Sequence, residues 1–184
     1  MKTNRMMMAA LILTAVGFAQ DTVNQRRDNQ QDRIANGIDS GQLTAGETKS
    51  LEGREANLNR EIHTDRQANG GKLTAGERQQ VNTQQNHLSN RIYDDKHNAN
   101  TAHYGNNEVG QRRQNQQDRI ANGVRNGNLS AGQTARLENR EQGVNQQIHA
   151  DRAANGGKLT AAEHAQVNGA QNRASRSIYR AKHS

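Results

Sequence analysis

Histidine and carboxylate side chains are the residues of this sequence that could do chemistry, as metal ligands or as a general base. Seven histidines occur, but no two lie three or four positions apart, the spacing that brings two ligands to one face of a helix. His63 and Asp65 flank Thr64, but neighbours one or two apart on a helix point in different directions. No glycine-rich phosphate loop follows a strand pattern, so the sequence predicts a protein that is not an enzyme.

The most repeated motif in the chain is Gly-x-Leu-Thr-x-x-Glu. It occupies residues 41–47 and 71–77, and it returns at residues 127–133, with Ser and Gln as variants, and at residues 157–163. Glycine commonly ends a helix, Thr or Ser caps the next one, and Glu or Gln three residues later completes a capping box. The motif therefore predicts a helix, a tight loop and a second helix at four places.

The same motif resembles the second half of the calcium loop of EF-hand proteins, in which Gly, an aliphatic residue and Glu recur at this spacing. In the loop that ends at Glu77, the earlier ligand positions fall on Arg66 and Ala68, whose side chains do not bind calcium. What the resemblance implies instead is a loop one residue longer, with three calcium-binding residues in each of two copies: Asp65, Asn69 and Glu77, and Asp151, Asn155 and Glu163. Helix capping explains the same residues without a cofactor, and both interpretations stay open.

An internal duplication organises the chain. A shift of 86 residues aligns residues 26–98 with residues 112–184 without a gap, and 44 of the 73 positions are identical. We refer to these segments as unit one and unit two. Residues 99–111, which contain several Asn and Gly, are typical of a linker.

Sparse aliphatic residues recur at helical spacing and predict three helices in each unit. The second helix is expected from about Ala45 to Ala68 and the third from about Ala75 to His97. Their apolar stripes, with that of the first helix, contain Ile34, Ile38, Leu51, Leu58, Ile62, Val81, Leu88 and Ile92. Glu55 and Gln85 interrupt the stripes, as Glu141 and Gln171 do in unit two. These residues should either form a buried polar layer or reach solvent. The predicted fold is all-α, with two tandem helical units, each a three-helix antiparallel bundle or an array of hairpins.

The first 19 residues have the features of a secretory signal peptide. Lys2 and Arg5 precede an apolar stretch that is too short to span a bilayer and that ends near the small residues Gly17 and Ala19. We expect residues 1–19 to be removed on export and the mature protein to be periplasmic or extracellular. The chain has no cysteine, so a disulfide framework is excluded.

Positive charge is concentrated in unit two. Unit one has 11 Lys and Arg against 11 Asp and Glu, whereas unit two has 12 against 5. On the last helix, His87, Asn90 and Asp94 of unit one are replaced by arginines that lie opposite the apolar stripe. The predicted anion-binding residues are Arg112, Arg113, Arg173, Arg176 and Arg180.

An arginine stripe attracts polyanions with an affinity that falls as salt rises. Only four aromatic residues occur, which argues against nucleic acid, whereas anionic envelope polymers, lipid head groups or an acidic protein fit an exported location. The leading interpretation is an exported, non-enzymatic structural or interaction module. Its alternatives are an EF-hand-like calcium-binding protein, a repeat protein that self-assembles, and a stripe that only keeps the protein soluble.

Overall fold

The computed structural model describes the backbone of residues 12–184 and the side chains of residues 22–184. This part of the chain forms six α-helices and no strand, which confirms the predicted all-α class. The helices are α1 (Ile12–Asp39), α2 (Ala45–Ala68), α3 (Ala75–Lys96), α4 (Glu108–Arg125), α5 (Ala131–Ala154) and α6 (Ala161–Lys182). None of these helices is both long enough and apolar enough to cross a membrane.

The signal peptide stays a prediction. Residues 1–11 lie outside the described part of the chain, and residues 12–19 form the first turns of α1. Cleavage after Ala19 would leave α1 beginning near Gln20, before every residue discussed below.

The repeated motif ends and begins helices as the sequence predicts. Gly41, Gly71, Gly127 and Gly157 all have positive φ angles, between 68° and 89°. Capping boxes follow at the starts of α2, α3, α5 and α6, and they pair Thr44 with Glu47, Thr74 with Glu77, Ser130 with Gln133 and Thr160 with Glu163. Each box satisfies backbone N–H groups that the first helical turn leaves without a partner.

Helix α4 begins earlier than the sequence indicates. Asn107 caps it, so residues 108–111 of the segment predicted as a linker are helical. Val109 is buried, and so is Val23, which lies 86 residues before it. A side chain on Gly110 would place its Cβ 2.0 Å from the Tyr104 carbonyl oxygen, so the linker packs against α4 where only glycine fits.

The closest helix pairs join the two halves of the chain. Helix α3 packs against α1 and α2, and α6 packs against α4 and α5, but the most extensive contacts are between α2 and α5 and between α1 and α4. Gly46 lies against Gln142, and Gly132 lies near Ala56, so α2 and α5 run antiparallel. Helices α1, α2, α4 and α5 therefore form the centre of the molecule.

The apolar side chains form three clusters, and the largest is shared by both units. It includes Ile34, Ile38 and Leu51 from unit one together with Ile120 and Leu137 from unit two. A smaller cluster lies in each half, around Leu58 in one and around Ile148 in the other. All eight aliphatic residues that the sequence assigns to the stripes of unit one are buried. The core of each unit is thus completed by the other.

Candidate functional site

The exposed surface of α6 carries three arginines that no side chain of residues 22–184 neutralises in an ion pair. Arg173, Arg176 and Arg180 are all exposed and lie three and four residues apart, so they share one face over about 10 Å. The ion pairs formed by described residues join Arg27 to Asp28, Arg91 to Asp95 and Arg125 to Asp39. The α6 arginines are in none of them, so their charges face solvent.

Two arginines of α4 extend this surface. Arg112 donates hydrogen bonds to the side-chain oxygens of Asn168 and Asn172 on α6, and Arg119 donates to the Ser175 carbonyl oxygen at 3.2 Å. We call Arg112, Arg119, Arg173, Arg176 and Arg180 the α6 basic face. Arg125 does not belong to it, because Arg125 pairs with Asp39 and Asn36 of α1.

Arg113 does not lie on the α6 basic face, although the sequence groups it with these arginines. Its side chain turns inward and only 6% of the residue is exposed. The guanidinium carbon lies 5.0 Å from the centre of the Tyr104 ring. The helical period places Arg112 and Arg113 about 100° apart, which is why two adjacent arginines reach different surroundings.

The corresponding surface of unit one has the same shape but a different charge. Arg26 donates to Asn86 at 2.9 Å, and Arg33 donates to the Ser89 carbonyl oxygen at 3.0 Å, as Arg112 and Arg119 do in unit two. The three positions between these flanking arginines hold His87, Asn90 and Asp94, all exposed. The net charge of the two surfaces differs at these three side chains, and the Arg91–Asp95 ion pair of α3 is replaced by the neutral Ser177 and Ala181 in α6.

The residues proposed for calcium lie together but are already hydrogen bonded. The Asn69 amide nitrogen donates to both carboxylate oxygens of Glu77, at 2.9 and 3.0 Å, and to the Asp65 carbonyl oxygen at 2.9 Å. Asn155 makes the same three bonds with Glu163 and Asp151, at 2.7 to 2.9 Å. A hydrogen bond from the Thr74 backbone N–H lowers the pKa of Glu77. A calcium ion would have to displace the asparagine amide from each carboxylate.

Elsewhere in the described part of the chain, no three His, Asp or Glu side chains lie close enough together to hold a metal ion. Two of the histidines pack against tyrosine rings. His97 and His183 stack on Tyr93 and Tyr179, with ring centres 4.1 and 4.2 Å apart. These histidines pack at helix ends.

Four buried glutamates on α2 and α5 form a second candidate site, and the sequence analysis missed two of them. Glu52, Glu55 and Glu138 are fully buried, and Glu141 is nearly so. The Gln31 amide of α1 donates to Glu52 Oε2 at 3.2 Å, and the Gln117 amide of α4 donates to Glu138 Oε2 at 3.1 Å. The Oε1 atoms of Glu52 and Glu138 have no hydrogen-bond partner in the described part of the protein.

Burial makes these carboxyl groups weak acids. It raises the pKa of Glu52 to about 8 and the pKa of Glu55 to about 7, where the positive charge of Arg27 opposes the rise. Burial also raises the pKa of Glu141 to about 7 and the pKa of Glu138 well above its ordinary value. The cause is the loss of hydration, which disfavours the charged form. These groups can therefore hold protons near neutral pH.

Of the two arrangements left open for Glu55 and Gln85, a buried layer or a position in solvent, the structure has both residues buried but not hydrogen bonded to each other. Gln85 donates to the Val23 carbonyl oxygen at 2.9 Å, and Glu55 lies near Arg27. Both therefore turn to α1 instead of to each other. Glu52 and Glu138 had a signal in the sequence: each follows a stripe leucine, and the Leu-Glu pair is identical in the two units.

Comparison of the chain with protein-family models, with curated proteins and with solved structures found no match. The class that the described residues define is an all-α protein of six helices.

Proposed function

We propose that this protein is an exported, non-enzymatic interaction module, built from two three-helix units, that binds anionic polymers of the cell envelope through the α6 basic face. The observation that carries the proposal is the set of exposed arginines on α6 that have no acidic partner in the described part of the chain. Such a surface attracts a polyanion at long range and releases counterions when the polymer binds.

The arrangement of two units supports this function physically. Each unit contributes three helices, the repeated contacts differ by 86 residues along the chain, and α2 and α5 join the units in antiparallel orientation. A scaffold of this kind holds the α6 arginines on a rigid helix, so they can contact successive charges of a polymer without first becoming ordered.

The export part of the proposal rests on the sequence of residues 1–19. Export determines which polyanions the protein can contact, because an exported protein is separated from nucleic acid and lies near envelope polymers and lipids. N-terminal sequencing of the secreted protein tests it. A mature chain that begins at Gln20 supports the proposal, and one that retains Met1 contradicts it.

The binding part is tested with the mature protein and a soluble anionic polymer, such as a cell-wall polymer with a phosphate group in each repeating unit, at 50 and 200 mM salt. The triple variant Arg173→His, Arg176→Asn, Arg180→Asp gives α6 the residues of α3 and is the matched test of the α6 basic face. We expect the affinity of the natural chain to fall about 20-fold to 500-fold between the two salt concentrations if three to five arginines contact the polymer, and the variant to lose binding at both. Binding that is insensitive to salt, or equal in the variant, would exclude this surface as the binding site.

A further inference from the structure

A cavity of about 340 Å³ lies between the linker, the start of α2 and the middle of α5. Its walls include His103 and Tyr104 of the linker, Arg113 of α4, and Gln142, Asn145 and His149 of α5. Among the described residues that line it, none is Asp or Glu. The cavity wall therefore presents one full positive charge and several amide and imidazole groups. The buried Glu141 attracts Arg113 electrostatically, but it does not line the cavity.

Besides Asn145, whose Oδ1 is buried without a hydrogen-bond partner among the described residues, Arg113 is the residue of this cavity whose surroundings are incomplete. It is 6% exposed, its Nε is buried without a hydrogen-bond partner, and none of the ion pairs between described side chains includes it. Burial lowers the pKa of Arg113, which is the direction expected for a desolvated cation. A guanidinium group has five N–H donors, and proteins rarely bury one without an anionic or carbonyl partner.

Unit one provides a matched control for this arrangement. The residue equivalent to Arg113 is Arg27, whose side chain is 41% exposed and pairs with Asp28 at 3.0 Å. The residue equivalent to Asp28 is Gln114, so unit two has no acid at this position. Arg27 lines two cavities: one also contains Asp28 and Asp32, and the other, with Asn59 and His63 as the equivalents of Asn145 and His149, has no Asp or Glu among its described lining residues. The acid that neutralises the arginine in unit one is therefore absent from unit two, where the arginine is buried.

We propose that the cavity beside Arg113 binds a small oxyanion, the carboxylate or phosphate group of a small molecule, as the partner of the buried guanidinium. Arg113 offers a planar pair of donors that matches an oxyanion. The side-chain amides of Gln142 and Asn145, with His149, line the wall and can complete its hydrogen bonds. A volume of about 340 Å³ is at the small end of ligand cavities. The site is separate from the α6 basic face and does not depend on the function proposed above.

Titration of the full chain with sodium phosphate and with sodium succinate tests the proposal, with sodium chloride of equal ionic strength as the blank. We expect saturable binding of one anion per chain by calorimetry and a melting temperature that rises with its concentration. The anion that binds more tightly identifies the phosphate or the carboxylate as the preferred group. The variant Arg113→Gln should weaken binding about tenfold to a hundredfold, whereas Arg27→Gln should leave it unchanged.

A second pair of variants keeps the test decisive if Arg113→Gln disturbs folding. Asn145→Asp puts a carboxylate of nearly the same shape into the cavity, where it can pair with Arg113 and repel the ligand. We expect it to keep the helical circular dichroism signal and to lose anion binding, while Asn59→Asp, at the equivalent position of unit one, keeps both. Equal anion affinity in Asn145→Asp and the natural chain would overturn the proposal, as would the absence of saturable binding of either anion. Retention of binding in the α6 triple variant, Arg173→His with Arg176→Asn and Arg180→Asp, would support a separate site.

Discussion

Unit one and unit two are built on the same internal contacts but differ in the charge that they present. Gln30 and Gln116 donate to the carbonyl oxygens of Gln85 and Gln171 at 2.7 Å in both units, and Gln85 and Gln171 donate to Val23 and Val109 at 2.9 Å. The exposed positions of α3 and α6 have instead changed from one acid to three bases. Buried polar groups need specific partners, whereas exposed positions are free to change.

The duplication also allows the two units to share one apolar core. A single unit of this composition buries few aliphatic side chains, and below about 80 residues a single core is usually marginal. The two units share their largest apolar cluster, so each stabilises the other. One surface is then free to carry unbalanced charge while its counterpart stays close to neutral.

The largest expected effects come from the shared cluster. Ile34→Ala and Ile120→Ala each remove a fully buried side chain and should lower the free energy of unfolding by about 2 to 5 kcal/mol. Because both residues belong to one cluster, we expect a single cooperative transition in urea for each variant, followed by circular dichroism. Two separate transitions, with only one shifted by either change, would mean that the units fold independently.

The next effect concerns the buried glutamates and depends on pH. The pKa of Glu52 is raised to about 8 from 4.5, and that of Glu138 is raised as well. The folded chain therefore keeps protons that the unfolded chain has lost. The contribution of these two groups to stability should be greatest below pH 4.5 and fall as the pH rises to about 8, by up to about 1.4 kcal/mol per pH unit for each group.

The double variant Glu52→Gln, Glu138→Gln tests this dependence. It should flatten the loss of stability above pH 4.5 and raise the free energy of unfolding at pH 8 by roughly 2 to 4 kcal/mol, as measured by urea unfolding at several pH values. Glu77→Gln is the control, because the pKa of Glu77 is lowered and its contribution has the opposite sign, being lost as the pH falls. A double variant with the natural pH profile would show that Glu52 and Glu138 are hydrated and ionised in the folded chain.

Local signals in the sequence predicted the helices well, because they act over a few residues. Thr44 and Glu47 determine the start of α2 by a hydrogen bond of 2.9 Å from the Thr44 N–H to the carboxylate, and this interaction depends only on residues three apart. The pairing of α2 with α5 was not predicted, because the sequence spacing of Glu52 and Glu138 does not reveal which helix packs against which. For the same reason, the inward turn of Arg113 required the position of the linker residue Tyr104.

The helix caps should have a smaller effect. Thr44→Ala removes the hydroxyl that accepts a hydrogen bond from the Glu47 N–H and donates to its carboxylate. Ser130→Ala removes the hydroxyl that accepts from the Gln133 N–H and donates to its side-chain amide oxygen at the start of α5. Each should lower the free energy of unfolding by about 1 kcal/mol, measured by thermal unfolding. The caps lie at equivalent positions of the two units, so similar losses are expected. A loss confined to one variant would show that α2 and α5 do not contribute equally to the centre of the molecule.

The smallest effect on stability, and the sharpest on function, should come from giving unit one the surface of unit two. The triple variant His87→Arg, Asn90→Arg, Asp94→Arg changes only exposed side chains and should alter the free energy of unfolding by less than about 0.5 kcal/mol. Arg26 and Arg33 already flank these positions through bonds to Asn86 and Ser89. We therefore expect the variant to bind the anionic polymer at two surfaces per chain, with doubled stoichiometry in calorimetry at 50 mM salt. Unchanged stoichiometry would mean that polymer binding requires a feature of unit two beyond these three arginines.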